Sequence, residues 1–267
     1  MSTVVTINAS VVQGSVIGPA DYIIGTSDLH PLHPQNRLKK YADDSYLLIG
    51  SQHKETGPAE LRHISEWAAS KNLRINSSKT REIVIVRSHS ASLSEQPSIT
   101  GMHRSTSIEI LGVTIGEKLA LTEHIDRTLG SCSSSLYALR TLRAHGLPTQ
   151  ALFQVARSTT VARLIYASPA WWGFTSGRDR ERLERFMQRV VRAGLLPVNT
   201  PTVANLASEA DDVLFNAILT DSEHVLRRLC PAHRATQYNL RTRPHPFVLP
   251  NKDDKNFIPR MMFKNIY

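Results

Sequence analysis

Arg37-Leu38-Lys39-Lys40-Tyr41-Ala42-Asp43-Asp44-Ser45-Tyr46-Leu47-Leu48-Ile49 is the stretch on which the reading of this 267-residue chain turns. Two adjacent carboxylates separate a basic run from an apolar one, and Asp favours turns because its side chain bonds nearby backbone. The stretch predicts a β-hairpin over Leu38 to Ile49 with Asp43 and Asp44 at its tip. Taken alone, Tyr41-Ala42-Asp43-Asp44 is most simply a solvated turn. The rival is a metal site. Hard Mg²⁺ takes a few carboxylate oxygens plus substrate phosphates, and two-metal phosphoryl transfer needs acids where a nucleic-acid end meets a nucleotide.

The composition favours a polyanionic partner. A formal charge of +9 and a pI near 9.8 suit phosphate binding, because clustered Lys and Arg release counterions when they neutralise a nucleic acid. At 41% hydrophobic and 21% charged residues the chain has an ordinary globular balance over one or two domains. The uncharged first twenty residues lack a basic n-region and are interrupted by Gln13-Gly14-Ser15 and Gly18-Pro19, so they do not form a signal peptide. No stretch is long and apolar enough for a bilayer span, which excludes membrane insertion by a helix. Cys132 and Cys230 make neither a disulfide framework nor a zinc spacing, which fits an intracellular, reducing setting. The scattered histidines form no metal-ligand pair, and neither a G-x-S-x-G elbow nor a phosphate-binding G-x-x-x-x-G-K-[ST] loop occurs.

Along the chain, Ser2 to Val12 alternates β-branched residues and predicts a strand, and the glycines of Gln13 to Pro19 permit close backbone approach. Ala20 to Leu29 predicts a short helix, and Pro58 to Asn72 an amphipathic one with Leu61, Ile64, Trp67 and Ala68 inward and Glu60 among its polar residues. Leu73 to Asn76 and Glu82 to Val86 predict strands about a polar turn at Ser77 to Thr80. Ser88 to Ser107 predicts an exposed loop, and Ile108 to Ile115 a strand that completes an α+β unit. Then Ile125, Leu129, Cys132, Leu136, Leu139 and Leu142 mark the buried face of a helix that stops at Gly146-Leu147-Pro148. Helices from Thr149 to about Tyr166 and from Asp179 to Ala193 follow. On the latter, Arg178, Arg182, Arg185, Arg189 and Arg192 form a stripe that is either a solvated face or a nucleic-acid-binding one. Trp171 and Trp172 suit the core better than base stacking. The domains expected are 1–116 (α+β), 117–230 (helical) and a basic, partly ordered tail, 231–267.

Four motifs, in order, carry a family resemblance: Gln13-Gly14-Ser15-Val16-Ile17-Gly18-Pro19, Tyr41-Ala42-Asp43-Asp44, Asn72-Leu73-Arg74-Ile75-Asn76-Ser77-Ser78-Lys79-Thr80 and Ile110-Leu111-Gly112-Val113-Thr114-Ile115. Their succession resembles the reverse transcriptases of non-LTR (LINE-type) retrotransposons. The likeness continues through Leu136-Tyr137-Ala138-Leu139-Arg140, Tyr166-Ala167-Ser168-Pro169-Ala170-Trp171-Trp172 and Asp254-Lys255-Asn256-Phe257. The resemblance implies a partial polymerase palm, an antiparallel sheet with helices, followed by a mostly helical thumb-like region. It implies RNA template, DNA primer and deoxynucleotides as partners, two Mg²⁺ ions as cofactors and a nuclear setting. By residue it implies Asp43 and Asp44 as metal-binding acids, Lys79 near the nucleotide phosphates, Gln13, Gly14 and Ser15 beside the incoming nucleotide, and Tyr41 and Ala42 beside the primer end.

Such a palm carries a further aspartate ahead of the glycine-bearing motif, whereas no Asp or Glu precedes Gln13 and the first acid is Asp21. The fingers and an upstream endonuclease have no counterpart either. The expectation is a C-terminal fragment of an RNA-directed DNA polymerase, inactive alone. The alternative is a non-catalytic nucleic-acid-binding remnant of a degenerate element.

Overall fold

The computed structural model describes residues 16–86, 102–234, 245–264 and 266. It is an α+β chain that divides into two compact units, Met1–Glu82 with Ser92–Ser105 and Ile83–Ala91 with Thr106–Tyr267. The strand expected over Ser2 to Val12 and the motif residues Gln13, Gly14 and Ser15 lie outside the described residues, as does most of the loop expected from Ser88.

In the first unit, α1 (Gly18–Gly25) begins with Pro19, whose fixed φ suits a first helical turn. The predicted hairpin forms: β1 (Arg37–Tyr41) pairs antiparallel with β2 (Asp44–Leu48), Tyr41 opposite Asp44, so that Ala42 and Asp43 make a two-residue turn. Ala42 takes a left-handed φ of 48°, as short hairpin turns favour. After a 3₁₀ segment at Ser51–Thr56 comes α2 (Gly57–Ser70), which ends where Asn72 adopts a φ of 55°. Its inward face includes Ala68, as expected, and also Glu60, which the sequence pattern placed among the polar residues and which is fully buried. The Glu60 carboxylate accepts N–H bonds from Leu32 at 2.9 Å, His33 at 2.8 Å and the Asn36 side chain at 2.9 Å. It thereby closes the loop between α1 and β1 over α2.

Leu73 to Asn76 is not a strand. Instead Asn76 organises a turn, its carbonyl accepting from the N–H groups of Lys79 and Thr80 and its side chain from Ser78 and Lys79. Asn offers its own backbone this alternative to a ladder. The strand expected over Glu82 to Val86 is reduced to β3 (Arg81–Glu82), which pairs in parallel with β4 (His103–Arg104).

In the second unit, the single strand expected over Ile108 to Ile115 is a hairpin. β5 (Ser107–Ile110) turns back into β6 (Val113–Gly116) through Leu111 at φ 48° and Gly112 at φ 83°. Two positive φ values in a two-residue loop match the twist of the flanking strands, and the second position wants glycine. A Cβ on Gly112 would also lie 3.1 Å from the Tyr166 ring, whose hydroxyl donates to the Leu111 carbonyl at 3.2 Å.

The helices follow: α3 (Thr122–Ala144), α4 (Thr149–Ala156), a π-helical turn at Arg157–Val161, α5 (Ala162–Ile165), α6 (Ser168–Trp171), α7 (Gly177–Arg192), α8 (Val203–Thr220) and α9 (Phe257–Phe263). Most of the predicted face of α3 is core: Ile125, Cys132, Leu136 and Leu139 are buried against Leu152 and Leu164, Leu183 and Val190, and Val203 and Ala207, Leu129 is partly buried, and Leu142, in the last turn of the helix, is exposed instead. Each large apolar side chain so buried contributes roughly 1.5–3 kcal/mol. Val113 and Ile115 of β6 join this core. Trp171 and Trp172 are core residues, Trp171 donating its indole N–H to the Tyr166 carbonyl at 2.8 Å. Both cysteines are free, and burial pushes the Cys132 thiol up to about 11.

Within the tail, residues 245–264 are structured. Met261, Met262 and Phe247 pack on Phe215 of α8, and Arg260 forms a two-pronged pair with the buried Asp211. A Cβ on Gly173 would fall 2.0 Å from the Lys255 carbonyl oxygen, so the tail crosses that glycine in direct backbone contact.

The buried Glu60 makes the first unit acid-sensitive. Burial pushes its carboxyl up, but the donors from Asn36, His33 and Leu32 outweigh that and hold it below the usual range near 4.5. The unfolded chain therefore takes up this proton first, and stability present at neutral pH is lost as pH falls below about 4.5. Glu60→Gln is expected to destabilise the unit by about 2 kcal/mol at neutral pH and to flatten that acid limb. Thermal melting followed on the Trp67 indole resonance checks this, and an acid limb unchanged in the variant contradicts it.

Candidate functional site

Asp43 and Asp44 stand on an exposed tip that is fastened from below. The Lys40 ammonium bonds the carbonyl of Thr26 and, at 3.2 Å, that of Leu29, tying β1 to the chain that leaves α1. Tyr41 is 64% exposed beside the turn. Successive strand residues point to opposite faces, and the two acids find different neighbours. Asp44 Oδ2 accepts a bond from the Tyr46 hydroxyl at 3.3 Å, whereas Asp43 faces Tyr22 of α1. Burial and then the Asp43 carboxylate push the Tyr22 phenol up. Lys79 is exposed on the Asn76 turn, and no hydrogen bond or ion pair joins it to either acid.

Among the described residues no group of three or more His, Cys, Asp or Glu side chains is placed to hold a metal ion. The donor set at the tip still suits Mg²⁺ in one respect. That ion keeps most of its waters and is commonly bound by one or two carboxylates together with substrate phosphates. An exposed Asp43 offers such a point of attachment, and the described residues alone offer no cage.

The arginines of α7 divide by environment. Asp179, buried in the first turn of α7, accepts from Thr122 of α3 at 2.9 Å, from Ser176 at 2.8 Å and from Arg182 at 2.9 Å. Burial raises its carboxyl, but these donors outweigh it and hold the group low. Arg182 also bonds Asp126 of α3, so its guanidinium is committed to helix packing. Arg189 lies over the Phe186 ring at 4.6 Å and donates to Ser133 of α3 at 3.2 Å. Arg185 pairs with Glu181 at 3.0 Å, both more than two-thirds exposed, a pair of little energetic weight. Arg192 reaches only the Gln188 carbonyl, and Arg178 is exposed. A cleft of about 460 Å³ lies between α3 and α7, with Gly130 and Ser133 on one wall and Arg185, Phe186, Arg189 and Arg192 on the other. The sequence pattern pointed to the arginines but not to the α3 wall.

The family model for reverse transcriptase (RNA-dependent DNA polymerase) matches residues 3–115, which include the acid-tipped hairpin and the β5–β6 hairpin. The chain is 24% identical over 204 residues to the "Probable RNA-directed DNA polymerase from transposon BS" of Drosophila melanogaster, covering 69% of this chain and 22% of that protein. It is 26% identical over 135 residues to the "RNA-directed DNA polymerase from mobile element jockey" of the same species, covering 46% of this chain and 15% of that one. No solved structure matches the chain significantly. Residues 3–115 thus resemble reverse transcriptases, and both relatives are named as RNA-directed DNA polymerases of mobile elements. The chain spans about a fifth of the length of the first relative and less of the second.

The Lys40 anchor is testable by itself. Lys40→Met removes charge-assisted bonds worth about 1 kcal/mol at an exposed site, so amide exchange across Arg37–Tyr41 and Asp44–Leu48 is expected to quicken roughly fivefold. Exchange as slow as in the unsubstituted chain contradicts the anchoring role.

Proposed function

We propose that this chain contributes part of the polymerase site of an RNA-directed DNA polymerase, which adds deoxynucleotides to a DNA primer 3′-hydroxyl on an RNA template. The observation that carries the reading is the exposed hairpin tip, with Asp43 in its two-residue turn and Asp44 opening β2, within a reverse transcriptase match. Asp43 is the residue proposed to hold Mg²⁺, with Asp44 beside it. Bound Mg²⁺ supplies charge stabilisation for the transferred phosphoryl group and lowers the pKa of the attacking hydroxyl. Tyr41 and Ala42 present the floor beside the primer end. Lys79 places an ammonium for the leaving pyrophosphate, and Gln13, Gly14 and Ser15 line the approach of the incoming nucleotide. The first unit corresponds in this reading to palm and the helices to a thumb-like region that follows the nucleic acid. No helix among the described residues is long and apolar enough to cross a membrane, and the nuclear setting is proposed from the family resemblance alone.

The test joins residues 3–115 in frame behind the matching upstream part of the transposon BS polymerase and measures primer extension on RNA. Incorporation is expected to depend on Mg²⁺ and to fall by about 100-fold or more in Asp43→Asn, the scale of losing a charge-stabilising group at a reacting centre. A folded chimera that binds primer and template yet extends equally with and without the Asp43 carboxylate contradicts the proposal.

A further inference from the structure

The α3–α7 cleft combines three properties that an ordinary arginine-rich surface lacks. First, its walls are in register. Asp126 with Arg182 and Ser133 with Arg189 are both pairs 56 residues apart, and at the far end Arg143 bonds the Ala193 carbonyl. The two helices therefore run parallel along the whole cleft. Second, none of the described residues lining it is acidic: the carboxylates of Asp126 and Asp179 are taken by Arg182 at one end, and Glu181, which pairs with Arg185, stands outside the lining. Third, its α3 wall is open. A Cβ built on Gly130 meets no atom within 4 Å, so a ligand backbone can lie against the helix there.

We propose that this cleft is a groove for the phosphate backbone of a single nucleic-acid strand, with Arg185, Arg189 and Arg192 as its phosphate contacts and Arg182 as a packing residue. The inference rests on nucleic acid being the partner under the proposed function, and it narrows the five-arginine stripe to three. Each guanidinium has five N–H donors, so the single bonds made to Glu181, Ser133 and Gln188 leave others for phosphate oxygens. The stacking of Arg189 on Phe186 and its bond to Ser133 preorganise the central contact. From Arg185 to Arg192 the helix rises about 10 Å, room for two or three consecutive phosphates of one strand.

The test measures binding of a labelled, unstructured RNA to the full chain across a salt series, with circular dichroism to confirm folding. Replacing Arg185, Arg189 and Arg192 together by Gln is expected to weaken binding at least tenfold at moderate salt. It should also lower the slope of log affinity against log salt by about 2, at about 0.7 per phosphate on a single strand. Gly130→Glu, which fills open space on the other wall and removes no arginine, is expected to weaken binding as well. Arg178→Gln, on the same helix outside the cleft, is expected to leave it unchanged. The proposal is overturned if Arg178→Gln weakens binding as much as the triple substitution, if Gly130→Glu has no effect in a folded chain, or if an acidic peptide competes as well as RNA. The primer-extension test turns on the hairpin carboxylates and this one on the α3–α7 arginines, read as RNA binding without turnover, so a failure of either is told apart from a failure of the other.

Discussion

The register of α7 against α3 is the constraint on which the helical unit depends, and a buried carboxylate sets it. Asp179 joins the first turn of α7 to the first turn of α3 through Thr122, caps its own helix with Ser176 and holds Arg182, which reaches on to Asp126. A buried charge is costly unless paired and hydrogen-bonded, and here every partner comes from the two helix starts that must meet. Once that end is fixed, Leu183, Met187 and Val190 fall into the core, and Arg185, Arg189 and Arg192 fall along one open edge. The positive cleft is thus a consequence of how the core is packed.

The first unit uses the same device at lower cost in apolar burial. Glu60 gathers three N–H donors and fixes the loop that leads into β1, and Lys40 fastens β1 to the end of α1. What remains exposed is the turn. The unit thus puts its stabilising contacts at the base of the hairpin and leaves the two aspartates exposed at its tip.

The features legible in the sequence were those set by local chemistry. The Asp pair announced the hairpin, and the spacing from Ile125 to Leu139 announced the buried face of α3, because turn preference and helical period are both local. The β5–β6 turn was also legible in principle, since Gly112 interrupts an alternating run, yet the β-branched residues on either side of it outweighed that signal. Asn76 likewise diverted an apparent strand into a turn through its own side chain. The helix α8 also carries a capping signal, Thr202 following Pro201 and accepting from the Asn205 N–H at 3.1 Å. By contrast, nothing local distinguishes Glu60 from a surface glutamate or Arg182 from Arg185. Those assignments depend on donors and acids 24 to 57 residues distant in the chain. Burial of charge is decided by tertiary partners, and a helical stripe of arginines cannot show which of its members the fold has already used.

The central claim is that the hairpin tip presents Asp43 to a divalent ion in the company of a primer end and a nucleotide. The most direct measurement titrates Mn²⁺, which shares the oxygen-ligand preference of Mg²⁺, into the isotope-labelled chain with an RNA template, a DNA primer and a deoxynucleotide. Paramagnetic broadening is predicted to be strongest for the amides of Tyr41 to Tyr46 and to disappear from them in Asp43→Asn. Broadening centred on other carboxylates, with Tyr41 to Tyr46 untouched, would contradict the account.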